Sequence, residues 1–460
     1  MRSENSSASS DPARGRFSLP RLLSFPSTSS RLLSAAFFCG LSVALIGTAG
    51  AEPVAATGGG SEGGRGPRFA EESANGLTED RWGDVARLDA TGAAHRVWVN
   101  DSVLKHSVLF DGEARVMLGA VDGGTALSTR PPYFAHRRGE IYVVQTIYAR
   151  GTHGARSDLI TIYDDSTLAV LGDIEIPPFV ADTGTGVGLG AVLDDERFLV
   201  IFNQVPEVSV TVVDLEARAV TERIITGGCA MVYPVDDRRF AMLCGDGSAL
   251  VVEIDESGRN AGITRSSPFF DVVADPLSVA GVRSDDEWWF VSFDGWLHRV
   301  SFRGDAPRLE ARWSLVTEKE RSDSWRVGGI QHLALHRGSG RLYSLVHQGG
   351  RGSHKDAGSE IWVYDVEARE RVAEFSAPNV LPGFLRPLIG IGEGGWADRV
   401  VRLLAPNPGV HSIAVTQDEE PLLFARNRDI GNVAVVDGRS GEALGDLTEC
   451  GFSGPLLVVP

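Results

Sequence analysis

The sequence predicts an all-β fold, a seven-bladed β-propeller, and three observations carry that expectation. Pairs of alternating apolar strands recur seven times along the chain, most copies are preceded by a further strand pair, and the two ends of the repeating region are incomplete in complementary ways. Four-stranded units returning every 40 to 70 residues or so are the signature of propeller blades. A pair of β-sandwiches would account for the strands but not for seven similar units.

The seven copies are "VLFDGEARVMLGAVDG", "ITIYDDSTLAVLGDIEI", "VTVVDLEARAVTERIIT", "LVVEIDESGRNAGITR", "LHRVSFRGDAPRLEARW", "IWVYDVEARERVAEFS" and "VAVVDGRSGEALGDLT". Each runs an alternating strand to a polar turn, usually at an Asp, and returns on a second alternating strand, the period of a half-buried β-hairpin. The pairs that precede them include "GAVLDDERFLVIFN", "AMVYPVDDRRFAMLC", "LSVAGVRSDDEWWFVSF", "HLALHRGSGRLYSLVH" and "IAVTQDEEPLLFARN". The first unit has only "HRVWVN" before its hairpin, and the chain ends in an orphan strand, "GPLLVVP". N- and C-terminal strands can therefore complete one blade together, which removes the open sheet edges. The repeating region is residues 91–460.

Ahead of it lie two segments of different character. Residues 1–51 carry Arg14, Arg16, Arg21 and Arg31, then the apolar run "LLSAAFFCGLSVALIG", then the Ala-x-Ala site Ala49 to Ala51. That order is the order of an export signal. The apolar run contains glycines and serines and is short for a membrane span of about 20 residues, so no membrane anchor is expected. Residues 52–90, which include "ATGGGSEGGRGP", read as a flexible Gly-rich arm.

Removal of the leader leaves 39 basic and 59 acidic side chains, a net charge of −20. Such a charge opposes binding to nucleic acid or to anionic membranes and suits a soluble exported protein. Of the four cysteines, Cys39 leaves with the leader. Cys229 and Cys244 are placed symmetrically about Asp236 and Asp237, so in a hairpin turning at "VDDR" they face each other across neighbouring strands. Facing residues suit either a disulfide or a pair of buried thiols; an oxidising compartment selects the disulfide. Cys450 is left as a buried thiol.

Between the sixth and seventh copies, residues 377–410 form a long connection rich in Pro, Gly and apolar residues. Long loops of this kind pack against a partner or across the propeller's own face.

Signals for chemistry within the chain are weak. "TGTGVGLGA" spaces Gly186, Gly188 and Ala191 like a dinucleotide fingerprint, but a strand pair follows where a helix is required, so it reads as a connection between blades. His332 and His336 share one face of a strand, and His347 and His354 flank "QGGRGS". No ligand spacing completes a metal site around them. The Asp-Asp doublets fall at turns, and Trp288, Trp289, Trp296, Trp313, Trp325 and Trp362 read as blade packing. No nucleophile elbow, zinc-binding HExxH or haem-attachment motif is present.

Several stretches resemble one family, the heavy subunit of amine dehydrogenases of the methylamine dehydrogenase type. They are "RVWVND", "DGEARVMLGAVDGG", the cysteine hairpin before "GDGS", "SDSWRVGGIQHLALHR", the "HK" of "GRGSHKDAGSEIWVYD", and "SIAVTQDEEPLLFA". The resemblance runs from about Arg96 to the C-terminus. It implies a seven-bladed propeller and a disulfide at the hairpin cysteines. It also implies a periplasmic enzyme that deaminates primary amines oxidatively and passes electrons to a blue copper protein or a cytochrome. The catalytic group would be a tryptophan tryptophylquinone in a separate small light subunit, with heavy and light chains in a two-plus-two assembly, and no catalytic residue in this chain. Where that family places a Phe after "DGG", at the mouth of the amine channel, this chain has Thr125, with Leu127 following in the same stretch. A smaller residue there widens the mouth and favours amines other than methylamine. Two rival readings remain on sequence grounds: an exported propeller that only binds, without a catalytic partner, and a metal-dependent hydrolase of lactonase type, which lacks identifiable acidic ligands.

Overall fold

The computed structural model describes residues 77–78, 87–89, 93–125, 130–181, 186–304, 306–379, 400, 407–448, 450–454 and 456–460. The segment 1–51 read above as an export signal, most of the arm, Leu127 and most of the 377–410 connection lie outside the described residues. All of the blades fall within one compact unit, Phe69–Pro460.

Among the described residues, seven antiparallel sheets of four or five strands follow one another along the chain, as the repeat predicts. Blade 2 is Tyr133–Ala135, Glu140–Tyr148, Arg156–Asp164 and Val170–Ile176; blade 3 is Gly190–Val192, Phe198–Asn203, Ser209–Asp214 and Ala219–Ile225. Blade 4 is Cys229–Pro234, Arg239–Cys244, Ala249–Ile254 and Asn260–Arg265. Blade 5 is Val282–Ser284, Glu287–Val291 and Trp296–Ser301, with its outermost strand divided into Arg308–Leu309 and Trp313–Ser314. In blade 6 the innermost strand is divided, Trp325–Val327 and Leu333–His336 both pairing with Arg341–Gln348, before Glu360–Asp365 and Glu370–Ser376. Blade 7 is Ser412–Val415, Leu422–Arg426, Val433–Asp437 and Ala443–Leu447.

Blade 1 joins the two ends of the chain. Leu457–Val458 pairs with Arg96–Asp101, which continues into His106–Asp111 and Val116–Asp122. The register sets Trp98 against Val458 and Val99 against Leu457. A side chain of blade 6 holds this closing strand. The Gln331 amide donates to the Leu457 carbonyl at 2.9 Å and accepts from the Leu457 N–H at 3.2 Å.

The Asp that ends most third strands has one job, repeated six times. Asp111, Asp164, Asp214, Asp255, Asp365 and Asp437 each accept two backbone N–H groups of the following turn, as Asp214 does from Glu216 at 2.9 Å and Ala217 at 2.8 Å. These Asx-turns satisfy donors that the hairpin exposes, and each is followed by a register shift that seats the fourth strand. Blade 5 is the exception. Ser301 stands at the Asp position, and its hydroxyl accepts the Arg303 N–H at 3.4 Å.

The core is divided among the seams between blades. Seven buried clusters each join two neighbours, for example Phe198, Val212, Val232, Phe240 and Val252 between blades 3 and 4, and Val97, Phe110, Phe424, Val435 and Leu457 between blades 7 and 1. Alternating strands have two apolar faces to cover here, so every blade is buried on both sides by its neighbours.

Strand direction gives the propeller two unlike faces. Turns between first and second strands, and between third and fourth, lie on one face; loops between second and third strands, and all connections between blades, lie on the other. The turn face is closed by charge pairs that cross from blade to blade. Arg283 of blade 5 holds Asp194 of blade 3 through two contacts of 2.6 Å, Arg218 of blade 3 meets Glu140 of blade 2 at 3.0 Å, and Arg238 of blade 4 reaches Asp195 of blade 3. The loop face instead presents apolar side chains to solvent, among them Val103, Leu104, Val205, Val273 and Phe452.

The described residues of the arm form one short strand pair. Leu77–Thr78 pairs with Arg87–Leu88, and the Leu88 N–H donates to the Ser166 carbonyl of blade 2 at 2.7 Å.

Candidate functional site

Thr125 lies on the loop face, just beyond the fourth strand of blade 1. Asp122 turns the chain there by accepting the Gly124 N–H at 3.0 Å, and Gly124 takes a positive φ of 80° that a side chain would strain. A Cβ on Gly124 would also stand 3.0 Å from the Thr146 carbonyl. The segment is bonded to the second strand of blade 2. Thr125 donates its N–H to the Thr146 carbonyl at 3.0 Å, and its hydroxyl accepts the Tyr148 N–H at 2.8 Å. Gln145 adds a bond from its side-chain amide to the Asp122 carbonyl at 2.8 Å. The half-buried Thr125 side chain therefore holds the loop in place as well as bordering it. The sequence gives no sign of that bond, because the acceptor role depends on a strand 21 to 23 residues away.

Cys229 and Cys244 are direct register partners in blade 4 and are joined by a disulfide with an S–S distance of 2.04 Å. The turn between their strands is "VDDR", where Asp236 accepts the N–H groups of Arg238 and Arg239 at 3.0 and 2.9 Å. The Arg265 guanidinium lies 3.3 Å from the Cys229 sulfur. Cys450 is a buried thiol outside this bridge.

The histidines divide between the two faces. His336 is held at the turn face by Ser339 at 2.7 Å and the Asp418 carbonyl at 2.8 Å. On the loop-face side, His332 bonds the Gly328 carbonyl at 3.0 Å and His347 bonds the Ser353 hydroxyl at 2.9 Å, while His354 stacks on Phe293. Burial pushes His332 down to about 4; the Gly328 carbonyl opposes that shift, and His354 and His347 add to it. His347, His354 and His411 are lowered in the same direction, chiefly by burial. His332, His347, His354 and His411 are thereby disposed to stay neutral. Among the described residues no group of three or more His, Cys, Asp or Glu side chains is arranged to hold a metal ion.

Gly186, Gly188 and Ala191 belong to a short 3-10 turn and the first strand of blade 3, with no helix to receive a phosphate. Trp289, Trp313 and Trp362 are buried in one seam, between blades 5 and 6, and Trp325 packs on Trp362 with ring centroids 5.1 Å apart. No helix among the described residues is long and apolar enough to cross a membrane.

Comparison with known proteins agrees with the family resemblance read from the sequence. The family model for the methylamine dehydrogenase heavy chain (MADH) matches residues 93–381. The methylamine dehydrogenase heavy chain of Paracoccus versutus is 27% identical over 375 residues, covering 79% of this chain and 79% of that relative. The corresponding chain of Methylophilus methylotrophus is 23% identical over 354 residues, covering 76% and 78%. Among solved structures, a protein of unknown function from Desulfotomaculum acetoxidans superposes with a TM-score of 0.50 at 11% identity, over 77% of this chain and 96% of that one, a likeness of fold alone. A match running from the chain's entry into blade 1 to the end of blade 6, on a chain whose blades, closing strand and hairpin disulfide are all in place, settles the relationship: this chain belongs to the methylamine dehydrogenase heavy chain family.

Proposed function

We propose that this chain is the heavy subunit of an exported, periplasmic amine dehydrogenase, one that holds a small catalytic light subunit against its loop face and shapes the passage by which a primary amine enters. Family membership over residues 93–381 is the observation that carries the reading. The reaction takes a primary amine and water to an aldehyde and ammonia, and releases two electrons and two protons. A tryptophan tryptophylquinone in the light subunit would supply the electrophile and accept the electrons. A blue copper protein or a cytochrome would take them onward, and heavy and light chains would pair two with two. This chain contributes shape, burial and access.

The loop face suits that task better than the turn face. Its apolar side chains are exposed, whereas arginines and carboxylates of the turn face are already engaged with one another across the blades. Thr125, with Leu127 beside it in sequence, would stand at the amine entrance, and a threonine where the family has an aromatic ring leaves room for amines bulkier than methylamine.

Purification through a tag on this chain, co-expressed with the light subunit, tests the proposal. A small disulfide-rich chain with quinone absorbance should be retained. A tagged chain that emerges alone, folded and bearing no such partner, would favour the reading as a propeller that only binds other ligands.

A further inference from the structure

One buried carboxylate organises the most exposed apolar side chains of blade 1. Asp101, fully buried at the end of Arg96–Asp101, accepts the N–H of Val103 at 2.6 Å and of Leu104 at 2.8 Å through Oδ1. Its Oδ2 accepts from Phe452 and, at 3.4 Å, from Ser453. Two segments some 350 residues apart in sequence are thereby set side by side, and the Ser102 N–H adds a bond to the Ser453 carbonyl at 2.8 Å. Three of these residues turn large apolar side chains outward: Val103 is 57% exposed, Leu104 47% and Phe452 66%.

The backbone around them is shaped for this arrangement. Gly451 has a φ of 92°, and a Cβ there would fall 1.7 Å from Asp101 Oδ2, so only glycine lets the carboxylate approach. From blade 7, Arg426 donates to the Asn100 carbonyl at 2.7 Å and to the Cys450 carbonyl at 3.4 Å, bracing both segments from within. Exposed apolar side chains on a fixed backbone lose little conformational freedom when a partner covers them, which is the economy of a preorganised interface.

The patch also has a defined neighbour. The Lys105 carbonyl, next in the same loop, accepts the Gly123 N–H at 2.7 Å, two residues before Thr125. The loop bearing Val103 and Leu104 is therefore bonded to the segment that the proposed function places at the amine entrance. An entrance formed between two chains requires the second chain to cover what adjoins it.

We infer that Val103, Leu104 and Phe452 form an apolar anchor for the light subunit, with Asp101 as the positioning residue that holds the three in one patch. The inference rests on the proposed function and goes beyond it by naming the contact. Its occupant is the light subunit rather than a second copy of this chain.

The test uses the full chain co-expressed with its light subunit, as wild type, as Leu104→Asp/Phe452→Asp, and as Leu104→Ser/Phe452→Ser. The second pair guards against a folding defect from the added charges. Both variants should melt, as isolated chains, within about 2 °C of wild type, because the side chains are exposed. Sedimentation with the light subunit should show association weakened at least ~30-fold, the scale of a central interface anchor. Variants that fold and bind the light subunit as wild type does would overturn the assignment of the patch while leaving the proposed function intact. Wild-type chain that takes up no light subunit at all would overturn the proposed function and the patch with it. Isolated wild-type chain that self-associates through Leu104 and Phe452, while the variants stay monomeric and still bind the light subunit, would assign the patch to a second copy and contradict the inference.

Discussion

The Thr125 hydroxyl accepts the backbone N–H of Tyr148 at 2.8 Å, so the residue proposed for the amine entrance also fastens blade 1 to blade 2. The two roles can be separated by substitution. Thr125→Ser keeps the hydroxyl and should melt like wild type, whereas Thr125→Val keeps the volume and should cost about 1 kcal/mol in urea unfolding, the worth of one hydrogen bond. Thr125→Phe loses the bond and narrows the passage. In the assembled enzyme it should lower kcat/KM for bulky amines relative to methylamine by tens of fold at most, a pocket discriminating by roughly 1–3 kcal/mol per methylene. Unchanged relative rates for methylamine and a long-chain amine would remove Thr125 from the entrance.

Cys229 and Cys244 close a loop of 15 residues across one strand pair. An unreduced proteolytic digest should contain the two peptides linked, and replacing both cysteines by serine should cost roughly 2–4 kcal/mol of stability. Two thiols open to alkylation in protein purified without reductant would contradict the bridge.

Much of this architecture was legible in the sequence, and the reason is local. Alternation with period two, Asp at the third strand's end and polar turns all act within about 20 residues, so the seven hairpins, the cysteine pairing and the shared blade of the chain ends could be read directly. What could not be read depends on distant partners. Nothing in "NDSVLK" announces that Asp101 bonds Phe452, or in "DGGTAL" that Thr125 bonds Tyr148. The divided strands of blades 5 and 6 were equally hidden, since a strand that breaks and resumes pairing on the same neighbour keeps its apolar alternation.

Gly451 gives a direct probe of the lock between the chain ends. Gly451→Ala places a methyl against Asp101 Oδ2 on a backbone with positive φ, and should destabilise the protein by more than about 2 kcal/mol. Equilibrium unfolding in urea measures it. A variant as stable as wild type would mean that Asp101 does not bridge the two ends as described.

Acid should loosen the propeller through its buried histidines. Burial lowers both His298 and His332 from 6.5 to about 4, with Arg312 adding to the shift at His298. In the unfolded chain these imidazoles take up protons near pH 6.5, so their contribution is fully present above that pH. It is lost as pH falls from 6.5 toward 4, at up to roughly 1.4 kcal/mol per pH unit for each. Melting temperatures measured from pH 8 to pH 5 should fall most steeply below pH 6.5, and His332→Gln should flatten that limb. An unaltered slope in the variant would show that His332 is not held neutral by burial.

The central claim is that this chain serves an amine dehydrogenase without performing the redox chemistry itself. Amine-dependent reduction of an artificial electron acceptor, followed as purified light subunit is titrated into a fixed amount of this chain, tests it most directly. The chain alone should be inert, and activity should rise with added light subunit and level off at one light chain per heavy chain. Turnover by the isolated chain, or none at any ratio of the two, would contradict the account.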